Sequence, residues 1–191
     1  LEVMPSPLPA ARGKISKDAF FPILERLNSC DAGLLGPGLG RSQELPKLIS
    51  KILEETETPL ILDADGLYAI KDRKDVLWKR AEKGLLTILT PHEGEFHYLG
   101  GEPATGRETA ALNFAQEYGC ILVLKGPGTV TALPDGSCYV NTTGNNGMAK
   151  GGSGDVLGGM ILGMLGQMVA AHKHDGRYTG NSIRTEAIEQ A

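Results

Sequence analysis

The sequence predicts an α/β domain: a mostly parallel sheet with helices on both faces, a late β-hairpin, and a glycine-rich loop feeding a long helix. Three observations predict it. Short apolar runs alternate with longer segments whose apolar residues recur at spacings of three and four, the signature of strands buried on both faces and the helices that cover them. Each apolar run stops at a loop rich in Gly, Pro, Asp or His. Glycine is in excess and unevenly placed: 26 of 191 residues, twelve of them between Gly126 and Gly166, where only Asp135, Lys150 and Asp155 carry charge. No three-residue glycine period is present, which excludes collagen, and the interspersed Val, Ile, Leu and Met argue against low-complexity disorder. What remains is backbone that turns tightly or comes close to a ligand.

Taken in order, residues 1–22 hold four prolines and read as irregular, giving way to a helix over Phe20–Asn28. Ala32–Leu35 is a buried strand running into Gly36-Pro37-Gly38-Leu39-Gly40. Residues 42–56 place Leu45, Leu48, Ile49, Ile52 and Leu53 on one helical face, with Ser42 as the N-cap. Pro59–Leu62 is a strand closed by Asp63-Ala64-Asp65-Gly66, and residues 66–82 are helical with a break near Asp72. Leu85–Leu89 is a strand closed by Thr90-Pro91-His92-Glu93-Gly94-Glu95. Residues 105–118 form an amphipathic helix stopped at Gly119, and Ile121–Leu124 is a strand closed by Lys125-Gly126-Pro127-Gly128-Thr129. Thr129–Leu133 and Ser137–Asn141 flank Asp135-Gly136, a hairpin turn. A glycine-rich loop over 144–154 then opens a helix from about Gly154 to Ala170. In open sheets of this kind ligands bind beyond the carboxyl ends of the strands, so the four strand-end loops are expected to face one site.

The length fits one domain plus a tail: residues 1–170 as the domain, 171–191 as a loose polar end with His172 and His174 in solvent. The chain opens on Leu1 rather than Met, as a processed chain or a piece of a longer one would, and its first residues lack a signal-peptide pattern. A formal net charge of −4 offers no basic stripe for nucleic acid and no polybasic membrane patch. Val156–Ala171 has 16 residues and contains Gln167, which is short for a membrane span and reads as a buried helix. Cys30, Cys120 and Cys138 lie far apart in the sequence without metal-ligand spacing and read as buried thiols in a reducing, cytoplasmic setting.

The strongest chemical signal is Asn145-Asn146-Gly147-Met148-Ala149-Lys150-Gly151-Gly152-Ser153-Gly154-Asp155. Glycines let consecutive N–H groups line a hollow, and the positive end of the following helix points the same way. Gly151, Gly152 and Gly154 thus line a candidate anion hole for a phosphoryl group in transit, with Asp155 beside it as a base for an attacking hydroxyl. The competing reading makes Asp155 a carboxylate that only complements the helix dipole. The run matches neither GxxxxGK[ST] nor GxGxxG. Lys125–Thr129 reads either as a nucleotide-phosphate contact or as a plain strand-to-hairpin turn. His92 and Glu95 could contact substrate or a hydrated metal, or form a helix cap. No HExxH zinc pattern is present. Asp63 and Asp65 suit a magnesium role through water, or an Asx turn.

In this order the motifs GPGLG at 36–40, DADGL at 63–67, TPHEGE at 90–95, LKGPGT at 124–129 and TGNNGMAKGGSGDVLGG at 143–159 resemble the NAD(P)H-hydrate dehydratases, carbohydrate-kinase-like members of the ribokinase-like superfamily. The similarity covers roughly residues 1–170 and is greater to the ADP-using bacterial form. It implies a ribokinase-like fold and repair of hydrated NADH and NADPH: phosphorylation of the ring hydroxyl, then expulsion of phosphate by the ring nitrogen. It implies Asp155 as the general base and Gly152, Ser153 and Gly154 as the anion hole. Lys125, Gly126, Pro127, Gly128, Thr129 and Gly154 would contact ADP, or ATP in its place. Gly38, Gly40, His92 and Asp155 would contact the substrate, and Asp63 and Glu95 would stand near Mg2+. It further implies family strands ahead of LEVMPSPL, whose lack would leave an open sheet edge and favour a homo-oligomer. Two other readings share these residues: a ribokinase-like kinase of a sugar, hydroxymethylpyrimidine or thiazole alcohol, and a shortened, non-catalytic nucleotide-binding relative.

Overall fold

The computed structural model describes residues 4–102, 106–175 and 187. Ala10–Ala11 (β1) and Lys14–Ile15 (β2) pair as a small antiparallel hairpin. Phe20–Asn28 (α1) follows a short 3-10 turn. Gly33–Leu35 (β3) leads to Leu45–Glu55 (α2), and Leu60–Leu62 (β4) leads to Asp65–Ile70 (α3) and Asp75–Glu82 (α4). Thr87–Leu89 (β5) is followed by Glu93–Tyr98 (α5) and Arg107–Tyr118 (α6). Ile121–Leu124 (β6), Val130–Ala132 (β7) and Cys138–Val140 (β8) precede Ser153–His174 (α7).

The main sheet has the order β3-β4-β5-β6-β7-β8. Its first four strands are parallel neighbours, and β7 and β8 extend it as the antiparallel hairpin. Helix boundaries follow local chemistry. Gly119 adopts the left-handed conformation (φ 63°) and ends α6. Ser42 does cap the chain before α2, its Oγ accepting the Leu45 N–H at 3.2 Å, yet helical geometry begins only at Leu45, with Pro46 in the first turn.

Alternating strand residues serve two cores. Leu35, Leu60, Leu62, Leu89, Leu122 and Leu124 face a crowded layer built with α1 to α6. Ile61, Ile88 and Ile121 face the other side, where Leu165 and Val169 of α7 and the lone described tail residue, Ala187, meet them. The helices are therefore divided unequally between the two faces.

Three expectations are corrected here. The last helix is not buried: Leu165 and Val169 are covered, but Val156, Met160 and Met164 are exposed, because no second helix covers that face among the described residues. It also runs 22 residues and contains an 18-residue stretch of mean hydropathy 1.4, so by length and composition alone it could cross a membrane. It continues through residues 171–174, so His172 is a buried helix residue while only His174 is in solvent; beyond Asp175 the expected tail lies outside the described residues except for Ala187. Of the cysteines, Cys120 is buried, Cys138 half-buried and Cys30 exposed.

Candidate functional site

The loops after β3, β4, β5 and β6 and the start of α7 converge beyond the carboxyl ends of these strands. Gly36 (φ 141°) sits so close to the next loop that a Cβ there would lie 1.7 Å from the Asp63 carbonyl oxygen. Asp65 reaches back, accepting the Gly40 N–H at 2.9 Å and pairing with Arg41 at 3.1 Å. Neither carboxylate of the Asp63–Asp65 pair caps its own helix. Asp65 shapes the GPGLG loop, and Gly38 (φ 72°) stands at its open tip. Ala64 between them holds a positive φ of 48°, a strained conformation for a residue with a Cβ.

Asp63 is 3% exposed. Its Oδ1 accepts a hydrogen bond from Lys125 Nζ at 2.8 Å, and Glu95 Oε2 lies 3.8 Å from the same ammonium. Lys125 is aligned by the sheet: its N–H donates to the Pro91 carbonyl at 2.8 Å, and its backbone bridges to His92 in parallel register just beyond β5 and β6. His92 and Glu95 form a full capping box for α5. The His92 Nδ1 accepts the Glu95 N–H at 3.2 Å and Glu95 Oε2 accepts the His92 N–H at 2.9 Å. The His92 side chain still stays 60% exposed, free to meet a ligand.

Helix α7 aims its first turn at this cluster. A Cβ on Gly154 would lie 3.6 Å from Lys125 Nζ and 3.9 Å from Asp63 Oδ2. Gly152 (φ 91°) is the N-cap residue. The Ser153 hydroxyl donates to the carbonyls of Met148 and Lys150, and its N–H turns back to Lys150 at 3.2 Å. That leaves the N–H groups of Gly152, Gly154 and Asp155 without a hydrogen bond among the described residues. These are the unpaired donors of a helix start, suited to an anion. Asp155 is exposed in that same turn.

Asp65, expected as a magnesium-side or Asx-turn carboxylate, instead holds the GPGLG loop. One residue outside the candidates named from sequence also shapes the site: Arg107, at the start of α6. Its guanidinium donates to the carbonyls of Leu124, Lys125, Pro127 and Gly128, and its Nε lies 3.1 Å from Glu93 Oε1. A Cβ on Gly126 would lie 2.6 Å from Nη2. Thr129 closes the same loop, its Oγ1 donating to the Gly126 carbonyl at 3.1 Å. The one sequence signal for Arg107 is a cation placed in a helix first turn, where the dipole disfavours it.

No group of three His, Cys, Asp or Glu side chains among the described residues could alone hold a metal. Magnesium does not need one, since it takes one or two carboxylates and completes its shell with phosphate and water. Asp63 Oδ2 faces Gly154 with no hydrogen bond among the described residues, so the oxygen donors on hand suit that ion and not zinc. A cleft of about 230 Å3 lined by Leu53, Val76, Lys79 and Lys83 lies away from this site, where α2 ends ahead of β4.

A family model described as NAD(P)H-hydrate dehydratase matches residues 1–188. The chain is 43% identical over 171 residues to the bifunctional NAD(P)H-hydrate repair enzyme Nnr of Moorella thermoacetica, covering 87% of this chain and 32% of that protein. It is 41% identical over 135 residues to the ADP-dependent (S)-NAD(P)H-hydrate dehydratase of Bacillus subtilis, covering 69% of this chain and 46% of that one. The chain thus spans about a third to a half of the length of these relatives. Among solved structures, the ADP/ATP-dependent NAD(P)H-hydrate dehydratase of Bacillus subtilis, co-crystallized with ATP/Mg2+ and soaked with CoA, superposes with a TM-score of 0.57 at 28% identity, over 87% of this chain and 71% of that one. A ribokinase-like superfamily protein of Enterococcus faecalis superposes with a TM-score of 0.63 at 21% identity, over 88% and 65% of the two chains, a likeness of fold.

Proposed function

We propose, from the premise that this chain belongs to the NAD(P)H-hydrate dehydratase family, that it restores NADH and NADPH from their (S)-hydrates with ADP as phosphoryl donor. The observation that carries this reading is the convergence at Gly154. At the first turn of a helix, a lysine and a buried carboxylate come within 4 Å of the point where a Cβ on Gly154 would stand.

In this reading Asp155 takes the proton of the substrate ring hydroxyl as its oxygen attacks the phosphoryl group. The free N–H groups of Gly152, Gly154 and Asp155 hold the charge that builds on the phosphoryl oxygens. Ser153 sets that turn through its bonds to Met148 and Lys150. Lys125 and the loop through Gly126, Pro127, Gly128 and Thr129 hold the nucleotide phosphates. Gly38, Gly40 and His92 line the substrate side. With AMP released by the transfer, the ring nitrogen expels phosphate, the ring carbon next to the one that bore it gives up a proton, and the reduced nicotinamide returns. Asp63 and Glu95 are the carboxylates that would hold a magnesium ion through its waters, where it neutralises phosphate charge. A second copy of this chain is the proposed partner, since no strand pairs with the outer edge of β3 among the described residues and the exposed stripe of α7 lies next to it.

The test supplies hydrated NADH with magnesium and either ADP or ATP, and follows absorbance of the reduced nicotinamide. Recovery that is faster with ADP is the expected result. A phosphorylated product without recovered NADH would mark a kinase instead, and nucleotide binding without turnover would mark a non-catalytic relative.

A further inference from the structure

Peptide planarity fixes opposite directions for the C=O of one residue and the N–H of the next. The carbonyls of Lys125, Pro127 and Gly128 all point to Arg107. The N–H groups of Gly126, Gly128 and Thr129 must therefore point away from it. None of the three has a hydrogen bond among the described residues. Successive backbone N–H groups turned the same way form an anion-binding hollow. The guanidinium fills the reverse side of the loop so closely that Gly126 has no room for a Cβ. Its position in the first turn of α6 is unfavourable for a cation, and four carbonyl acceptors with Glu93 account for it.

We infer that Arg107 is a positioning residue. From the side away from the ligand, it holds Lys125–Thr129 so that three N–H groups are presented together to the phosphates of the nucleotide. This rests on the reading of that loop as the nucleotide contact. Glu93 pairs with the guanidinium from the segment that also bears His92 and Glu95, and that segment is held by its own capping box.

The experiment compares the wild type with Arg107→Gln and Arg107→Lys. Backbone order parameters of Gly126, Gly128 and Thr129 are measured by 15N relaxation without nucleotide, and ADP affinity by calorimetry. In Arg107→Gln the order parameters are expected to fall from about 0.85 to below about 0.6. The ADP Kd should rise at least about tenfold, or about 1.4 kcal/mol, and the KM for ADP should rise while that for hydrated NADH holds. Arg107→Lys keeps the charge, loses the planar fork and should fall between; it carries the same comparison if the Gln variant does not fold. Unchanged order parameters in a folded variant overturn the inference, as does ADP binding within twofold of the wild type. A wild type that binds no ADP sinks the nucleotide reading of the loop, and the order parameters still decide whether Arg107 holds it.

Discussion

Asp155 lies in the first turn of α7, exposed and with no side-chain hydrogen bond or ion pair among the described residues. Nothing in the packing requires a carboxylate there, and its structural value is limited to the helix dipole, under about 1 kcal/mol at an exposed position. Asp155→Asn keeps the shape and removes the proton acceptor. The rate of nicotinamide recovery is expected to fall by about 10²–10⁴, with the melting temperature nearly unmoved. An unchanged rate would leave Asp155 only its dipole role. Asp155, Lys125 and His92 could be picked out from sequence because each stands where a strand or glycine run ends. Arg107, and the hold of Asp65 on the GPGLG loop, could not. The carbonyls held by Arg107 lie 17 to 21 residues away, and the Gly40 N–H held by Asp65 lies 25 residues away; only the folded chain brings them together.

Strand and helix order was legible because apolar periodicity is a local property. The break in the 66–82 segment falls where α3 ends and α4 begins, and Phe20–Asn28 is helical as its pattern predicts. The exposure of α7 was not legible, since an apolar helix reads the same whether one neighbour covers it or several do. Arg80 of α4 shows what periodicity also misses. It is 2% exposed and has no carboxylate partner among the described residues; its guanidinium donates to Thr87 Oγ1 at 3.0 Å and to the carbonyls of Leu53, Thr56 and Thr58 at 2.6–2.9 Å. Burial pulls its pKa down to about 10, so it remains charged at neutral pH. Through it the carboxyl end of α2 is tied to α4 and β5, with the cation at the negative end of the α2 dipole. Arg80→Met would leave several buried acceptors unpaired. A loss of about 3–5 kcal/mol in urea unfolding is expected; a loss below about 1 kcal/mol would mean that water takes over those acceptors.

At the scale of the molecule the two faces of the sheet are unequal. Six helices crowd one, and α7 with Ala187 covers the other among the described residues. Val156, Met160 and Met164 repeat at a spacing of four along α7 and stay exposed, a stripe that a monomer rarely leaves bare. Light scattering is expected to show an oligomer, and Met160→Glu should shift it toward monomer with little change in intrinsic stability; a wild type that is monomeric at all concentrations would count against self-association. The same asymmetry separates the molecule's chemistry from its bulk. Asp155 and the turn proposed as the anion hole ride on α7, whereas Asp63, His92 and Lys125 close strands rooted in the crowded face. The two halves of the site thus belong to layers of different cohesion. On gentle heating the proposed activity should be lost while most of the fold still stands, and on cooling it should recover by re-seating one helix rather than by refolding the chain. Activity and far-UV circular dichroism followed together through the transition would show the two curves parting, or coinciding if the layers melt as one.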